Sequence, residues 1–222
     1  MIKRTALVTG ASRGIGRAIA ELLTDTGHSV LIPTRSEMDL ASTESIRSYL
    51  ASLTAPIEIL VNDAGINHVA PLADIKNQEL QDALNINLTA PFQLVQSVSA
   101  QMQEARFGRI VNISSIWSIV SRAGRITYSM SKSALNGMTR SMAIELAPYN
   151  ILVNAVAPGY VLTDLTRQNN SDEELVKISK AIPLQRLASP AEIAGVVAFL
   201  CSEQNTYMTG QTVIVDGGFS CL

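Results

Sequence analysis

The chain has 222 residues, 47% of them hydrophobic and 16% charged, which suits one globular domain with a sizeable core and excludes a disordered chain. A formal net charge of −2 offers no long-range attraction for nucleic acid or an anionic membrane. No apolar run reaches the roughly 18 residues of a membrane span and no basic-then-apolar leader is read before Ile2-Lys3-Arg4, so the chain is expected in the cytoplasm, with Cys201 and Cys221 as reduced thiols.

Thr5-Ala6-Leu7-Val8-Thr9 is a short apolar, β-branched run that predicts a strand. It ends in Gly10-Ala11-Ser12-Arg13-Gly14-Ile15-Gly16, after which Ala18, Ile19, Leu22 and Leu23 recur at helical spacing. Strand, glycine turn and helix in that order form a dinucleotide site. The turn lets backbone approach a pyrophosphate, and the helix start offers free N–H groups to it. Gly10, Ser12, Arg13, Gly14, Ile15 and Gly16 are therefore assigned to cofactor binding.

The second strand reads Ser29-Val30-Leu31-Ile32-Pro33-Thr34-Arg35. An acidic residue at this strand's end holds the ribose 2′-hydroxyl of NAD, whereas an arginine accommodates the 2′-phosphate of NADP. Arg35, with Arg13 in the glycine turn, predicts NADP(H); the competing reading has Glu37 hold the ribose. Too few residues separate Arg35 from Met38-Asp39-Leu40 for a crossover helix, so the usual third strand is expected to be vestigial or absent and the second to lie at the sheet edge. Asp39 and Leu40 then fall on the adenine side of the cofactor pocket, and Ser42 caps a helix over residues 43–53.

A buried strand over residues 57–61 ends in Asn62-Asp63-Ala64-Gly65, of which Asn62, Ala64 and Gly65 join the cofactor-binding set. A loop and a helix follow, with Asn85-Ile86-Asn87 set inside it, then another helix over 88–104 with Pro91 near its start, and a strand over 108–113 leads to Ser114-Ser115-Ile116-Trp117. Ligands of such sheets lie beyond the carboxyl ends of the strands, where Ser115, the Asn62 loop and the glycine turn converge.

Tyr128-Ser129-Met130-Ser131-Lys132 opens a proline-free helical segment with Met130, Leu135, Met138, Met142 and Leu146 as its buried stripe. Residues four apart share a helix face, so Tyr128 and Lys132 project side by side. A free phenol titrates near ~10, and an adjacent ammonium is expected to pull that value toward neutrality and make the pair a general acid/base. Residues 151–157 form the next strand, 172–181 a short helix, 190–200 another helix and 211–215 the last strand. Arg167-Gln168-Asn169-Asn170-Ser171 is turn-prone, and residues 160–189 are assigned as a substrate lid. The expected fold is α/β: one doubly wound, Rossmann-type parallel sheet of six or seven strands with helices on both faces.

Thr9-Gly10-x-x-x-Gly14-Ile15-Gly16, Asn62-Asp63-Ala64-Gly65, Asn87, Ser115, Tyr128-x-x-x-Lys132 and Pro158-Gly159 stand in order across the whole chain. In them the sequence resembles the short-chain dehydrogenase/reductase family. The resemblance implies that Tyr128 protonates a carbonyl while nicotinamide delivers hydride, and that Ser115 holds the carbonyl oxygen. It also implies that Lys132 acidifies Tyr128 and binds the nicotinamide ribose, and that Asn87 positions a water that refills the proton. Tyr128 and Lys132 thus count as cofactor-binding too, with Pro158, Gly159, Val161 and Thr163 closing on the nicotinamide. Asp63 departs from the family's second Asn; if ionised, its carboxylate only accepts hydrogen bonds.

The overall pattern is most similar to 3-oxoacyl-acyl-carrier-protein reductases, which implies reduction of a 3-oxoacyl thioester or a similar small carbonyl. Arg106 matches one carrier-docking position, but Tyr149 stands where a second basic residue would be. Ser115, Trp117, Tyr128 and Tyr160 are assigned to substrate, with Val120 and His68 as further candidates for the pocket wall. A dehydrogenase of a sugar, polyol or other hydroxy-compound and a non-catalytic NADP-binding regulator stay open as alternatives. The family's habit implies a homotetramer or homodimer.

Overall fold

The computed structural model describes residues 2–168 and 170–221. Its sheet has six parallel strands: β1 (Thr5–Thr9), β2 (Ser29–Leu31), β3 (Ile59–Asn62), β4 (Gly108–Ile113), β5 (Ile151–Pro158) and β6 (Thr212–Val215), in the order β2-β1-β3-β4-β5-β6. β3, β4 and β5 are buried throughout, as near-continuous Ile/Leu/Val runs covered on both faces should be. The helices are α1 (Gly14–Asp25), α2 (Thr43–Ala51), α3 (Asn77–Leu84), α4 (Ala90–Ala105), α5 (Ile126–Leu146), α6 (Asp164–Gln168), α7 (Asp172–Ala181) and α8 (Pro190–Cys201). Ile19 and Leu23 of α1 pack with Ile193 and Val197 of α8 on one face of the sheet. Ile46 of α2, Leu94 and Val98 of α4 and Leu146 of α5 cover the other. The sheet is doubly wound.

β2 is the outer strand and stops at Leu31, two residues short of Pro33, so the proline lies outside the ladder it could not donate to. From there the chain reaches α2 through turns and irregular backbone. α2 starts where expected, Ser42 accepting the Ser45 backbone N–H at 3.2 Å, and ends at Ala51 rather than residue 53. Ahead of α4 the helix widens into a π-turn over Asn85–Thr89. Arg167 and Gln168, the first residues of the stretch expected to be turn-prone, close helix α6 instead, while Asn169 lies outside the described residues.

The buried stripe of α5 differs from the one expected. Met130 is 42% exposed, and the covered face carries Ser131, Lys132, Leu135, Thr139, Ala143 and Leu146. Small and polar side chains let α5 lie close to the sheet, a preference that apolar spacing does not reveal. A polar seam joins the two layers. Asn62 Nδ2 donates to Asn112 Oδ1 at 2.8 Å, Asn112 Nδ2 donates to Thr139 Oγ1 at 2.9 Å, and that hydroxyl donates to the Leu135 carbonyl at 2.8 Å. No helix among the described residues is long and apolar enough to cross a membrane, and Cys201 and Cys221 are free thiols.

Candidate active site

β1 has β2 on one side and β3 on the other, so the sheet reverses its winding there, and the carboxyl ends of these strands open a crevice. A cavity of about 660 Å³ occupies it and extends past β4 and β5. Gly10, Ser12, Arg13, Gly14 and Ile15 form its first wall. Gly10 takes φ +71°, and a Cβ there would stand 2.8 Å from the Ala64 backbone. No side chain caps α1, leaving its first-turn N–H groups for an anion. This uncapped, close-packed turn fits a dinucleotide pyrophosphate.

Arg35, Asp39 and Leu40 also line the cavity. Glu37 is occupied elsewhere: its carboxylate accepts the Thr34 backbone N–H at 2.7 Å and the Thr34 hydroxyl at 2.8 Å, which hold its pKa down. Ala64 and Gly65 line the middle, and Pro158, Gly159, Val161 and Thr163 the far side.

Three assigned residues act from behind the cleft. Asn62 does not line it; its side chain is committed to Asn112 in the core. Gly16 is also recessed, because it packs against the sheet: a Cβ there would fall 2.5 Å from Asp63 Oδ2 and 2.8 Å from the Gly10 carbonyl oxygen. Asn87 sits in the π-turn, 1% exposed, accepting the Ile66 N–H at 2.8 Å and donating to the Ile66 carbonyl at 2.9 Å and Ser131 Oγ at 3.0 Å. It ties the loop after β3 to α5.

Ser115, Trp117, Tyr128 and Lys132 meet at the inner end. Ser115 follows β4 and caps a short 3-10 turn, accepting the Trp117 N–H at 3.2 Å, so its hydroxyl is fixed by the backbone. The half-buried Tyr128 phenol lies beside it. Burial pushes that phenol up to about 12, while hydrogen bonding to Ser115 and the Arg125 charge act downward. The expected acidification by Lys132 is not found. The ammonium is 5.7 Å from the tyrosine ring centroid and donates to the Ile113 carbonyl at 2.6 Å. One helical turn makes the two neighbours without aiming the amine at the phenol oxygen. Burial also lowers Lys132 to about 8.

Asp63, half-buried at the cleft, is a further perturbed ionisable group. Its carboxyl lies within the glycine turn, and burial raises its pKa to about 7 against the pull of the Lys132 ammonium and the Gly16 N–H. Thr9 Oγ1 holds the loop in place by accepting the Asp63 and Ala64 N–H groups at 3.1 and 3.2 Å.

Trp117 and Tyr160 stand edge to face at 5.9 Å between ring centroids, and Phe219 completes a trio at 6.2 and 5.6 Å from them. Phe219 and the cleft residues Arg125 and Asn67 carry no motif and escaped sequence reasoning. His68 is exposed and, like Val120, does not line the cavity, so neither belongs to the substrate wall.

A parallel sheet with a dinucleotide crevice and a Ser, Tyr and Lys at its inner end defines a nicotinamide-type oxidoreductase. The enoyl-(acyl carrier protein) reductase profile matches residues 33–220 and the short chain dehydrogenase profile residues 4–48. The chain is 41% identical over 240 aligned positions to the 3-oxoacyl-[acyl-carrier-protein] reductase FabG of Aquifex aeolicus, covering 97% of this chain and 96% of that one. It is 38% identical over 234 positions to the reductase MabA of Mycobacterium bovis, covering 98% and 93%. A crystal structure of gluconate 5-dehydrogenase from Burkholderia cenocepacia, in complex with NADP and tartrate, superposes with a TM-score of 0.92 at 27% identity, covering 100% and 97%. The chain belongs to the short-chain dehydrogenase/reductase family.

Proposed function

We propose that the protein is an NADPH-dependent reductase that converts a ketone, a 3-oxoacyl thioester or a similar small carbonyl, to a secondary alcohol. The observation that carries this reading is the Ser115–Tyr128 pair at the inner end of a dinucleotide cleft. Bound NADPH supplies the hydride. Tyr128, protonated at neutral pH, donates its phenol proton to the carbonyl oxygen, and Ser115 holds that oxygen by a hydrogen bond. Lys132, anchored on the Ile113 carbonyl, would hold the nicotinamide ribose with Tyr128. Asn87 fixes the loop and helix that bracket the amine and is assigned the water that returns the proton. Val161 and Thr163 would meet the carboxamide, and α6 and α7 form the lid; α7 has no buried residue, as a movable cover requires.

Arg13 and Arg35 would take the 2′-phosphate of NADP, since Glu37 is committed to Thr34. Arg35→Ala is expected to raise the KM for NADPH about tenfold and leave that for NADH nearly unchanged. Equal use of both cofactors by the unaltered protein overturns the NADP reading. Oxidation of NADPH is followed against a panel of ketones and 3-oxoacyl thioesters, and no turnover of any of them overturns the ketone-reductase reading. The gluconate 5-dehydrogenase likeness favours a second reading, a dehydrogenase of hydroxy-compounds; alcohol-dependent reduction of NADP+ on the same panel tests it. Exposed apolar side chains on α4 and α5, among them Phe92, Met130 and Ile144, support assembly as a homotetramer or homodimer.

A further inference from the structure

We infer that the substrate pocket holds an anionic group, and that Arg125, assisted by Arg122, selects a small ketone bearing a carboxylate. This inference rests on the reductase reading and narrows its substrate. Arg125 lines the same cleft as Ser115, Tyr128 and Tyr160 and precedes α5 as its N-cap residue, three positions before Tyr128. A cation is an unfavourable choice there. The start of a helix already carries partial positive charge, and α5 has neither a side-chain cap nor an acidic residue in its first turn to offset it.

The guanidinium is also incompletely satisfied. Arg125 Nε is buried without a hydrogen-bond partner among the described residues, a costly arrangement unless something else supplies an acceptor. Arg122 stands at the rim, exposed, its Nη1 donating to the Tyr160 hydroxyl at 3.2 Å. The Arg122 charge adds a little to the Ser171 hydrogen bonds that hold the Glu174 carboxyl down, yet among the described residues no carboxylate forms an ion pair with Arg122 or Arg125. A cleft-lining guanidinium with an unpartnered N–H, a helix start and the nearby Arg122 charge therefore lie at one end of a pocket that Trp117 and Tyr160 also line.

Proximity to the reacting group decides the kind of anion. Arg125 stands three positions before Tyr128 and both line the cleft, so a group bound by Arg125 lies only a few bonds from a carbonyl held by Tyr128. The phosphate of a pantetheine-linked thioester sits many bonds farther along its arm. A carboxylate on the ketone itself fits, and the planar guanidinium matches it with paired hydrogen bonds.

The test compares acetoacetate and levulinate with their methyl esters, and with the neutral acetoacetyl thioester of N-acetylcysteamine, under saturating NADPH. The acids are expected to exceed their esters in kcat/KM by about 10- to 100-fold, and Arg125→Gln to lower the acid values by about that factor more than the ester values. Arg122→Gln should do the same to a smaller extent. In parallel, calorimetry follows succinate binding to the NADP+-saturated protein, and this binding should weaken in Arg125→Gln. Esters and thioester turned over as well as the acids, or equal losses for acid and ester in Arg125→Gln, overturn the anion site and leave the reductase reading standing. Succinate binding that requires Arg125, with no ketone reduced, supports the anion site and overturns the reductase reading.

Discussion

Tyr128→Phe is expected to lower turnover by about 10³- to 10⁴-fold while changing NADPH affinity by no more than about twofold. The substitution keeps the ring that packs in the cleft and removes only the hydroxyl beside Ser115. A phenol pushed up to about 12 is protonated throughout the neutral range, which suits a proton donor and handicaps a base. Reduction should therefore hold its rate as pH rises from neutrality, whereas oxidation of the alcohol should accelerate. Single-turnover kinetics separates the chemical step from binding, and cofactor fluorescence gives the affinity. A variant that keeps more than about a tenth of the activity removes Tyr128 from its role as the acid.

Asp63 gives the second large effect, on cofactor affinity. Its carboxyl sits in the turn that would receive the pyrophosphate, and burial raises its pKa to about 7. Negative charge brought to that turn favours the protonated carboxyl, so NADPH should bind with uptake of a proton. Between about pH 7 and pH 9 the affinity of the unaltered protein should weaken by up to about 50-fold, and Asp63→Asn should flatten that dependence. Fluorescence titrations across the range check it, and calorimetry in buffers of differing ionisation enthalpy counts the proton. A flat profile in the unaltered protein overturns the assignment.

The same carboxyl sets a sign for stability. Its folded value lies above its unfolded one, so its contribution is intact below the ordinary carboxylate range and lost as pH rises toward about 7. Lys132 runs the other way: its folded value of about 8 lies below the ordinary one, so its contribution is lost as pH falls through that value. Asp63→Asn should accordingly raise the melting temperature of the cofactor-free protein at pH 8 by about 3 °C or more and change it little at pH 4.

Most of the site was legible because motif spacing translates into geometry without knowledge of packing. The glycine turn after β1 and the four-residue step from Tyr128 to Lys132 each fix a local shape, and β-strand order brings those shapes to one edge. Properties that depend on neighbours distant in sequence were not legible. The tyrosine pKa is set by burial, and the Lys132 amine is captured by the carbonyl of Ile113, nineteen positions away, neither of which the local pattern contains. Asn62 and Gly16 carry the right motif letters, yet they serve packing behind the cofactor wall. Arg125 was missed for the opposite reason: it belongs to no motif, and only the fold turns it into the pocket.

The seam from Asn62 through Asn112 to Thr139 bears on catalysis although none of its members lines the cleft. Thr139 lies on the same helix as Tyr128 and Lys132, so sliding or rolling α5 by one residue would strand buried amides in an apolar interior. The seam works as an indexing pin, permitting a single seating of the helix and thereby holding the phenol and the amine on target from two to three turns away.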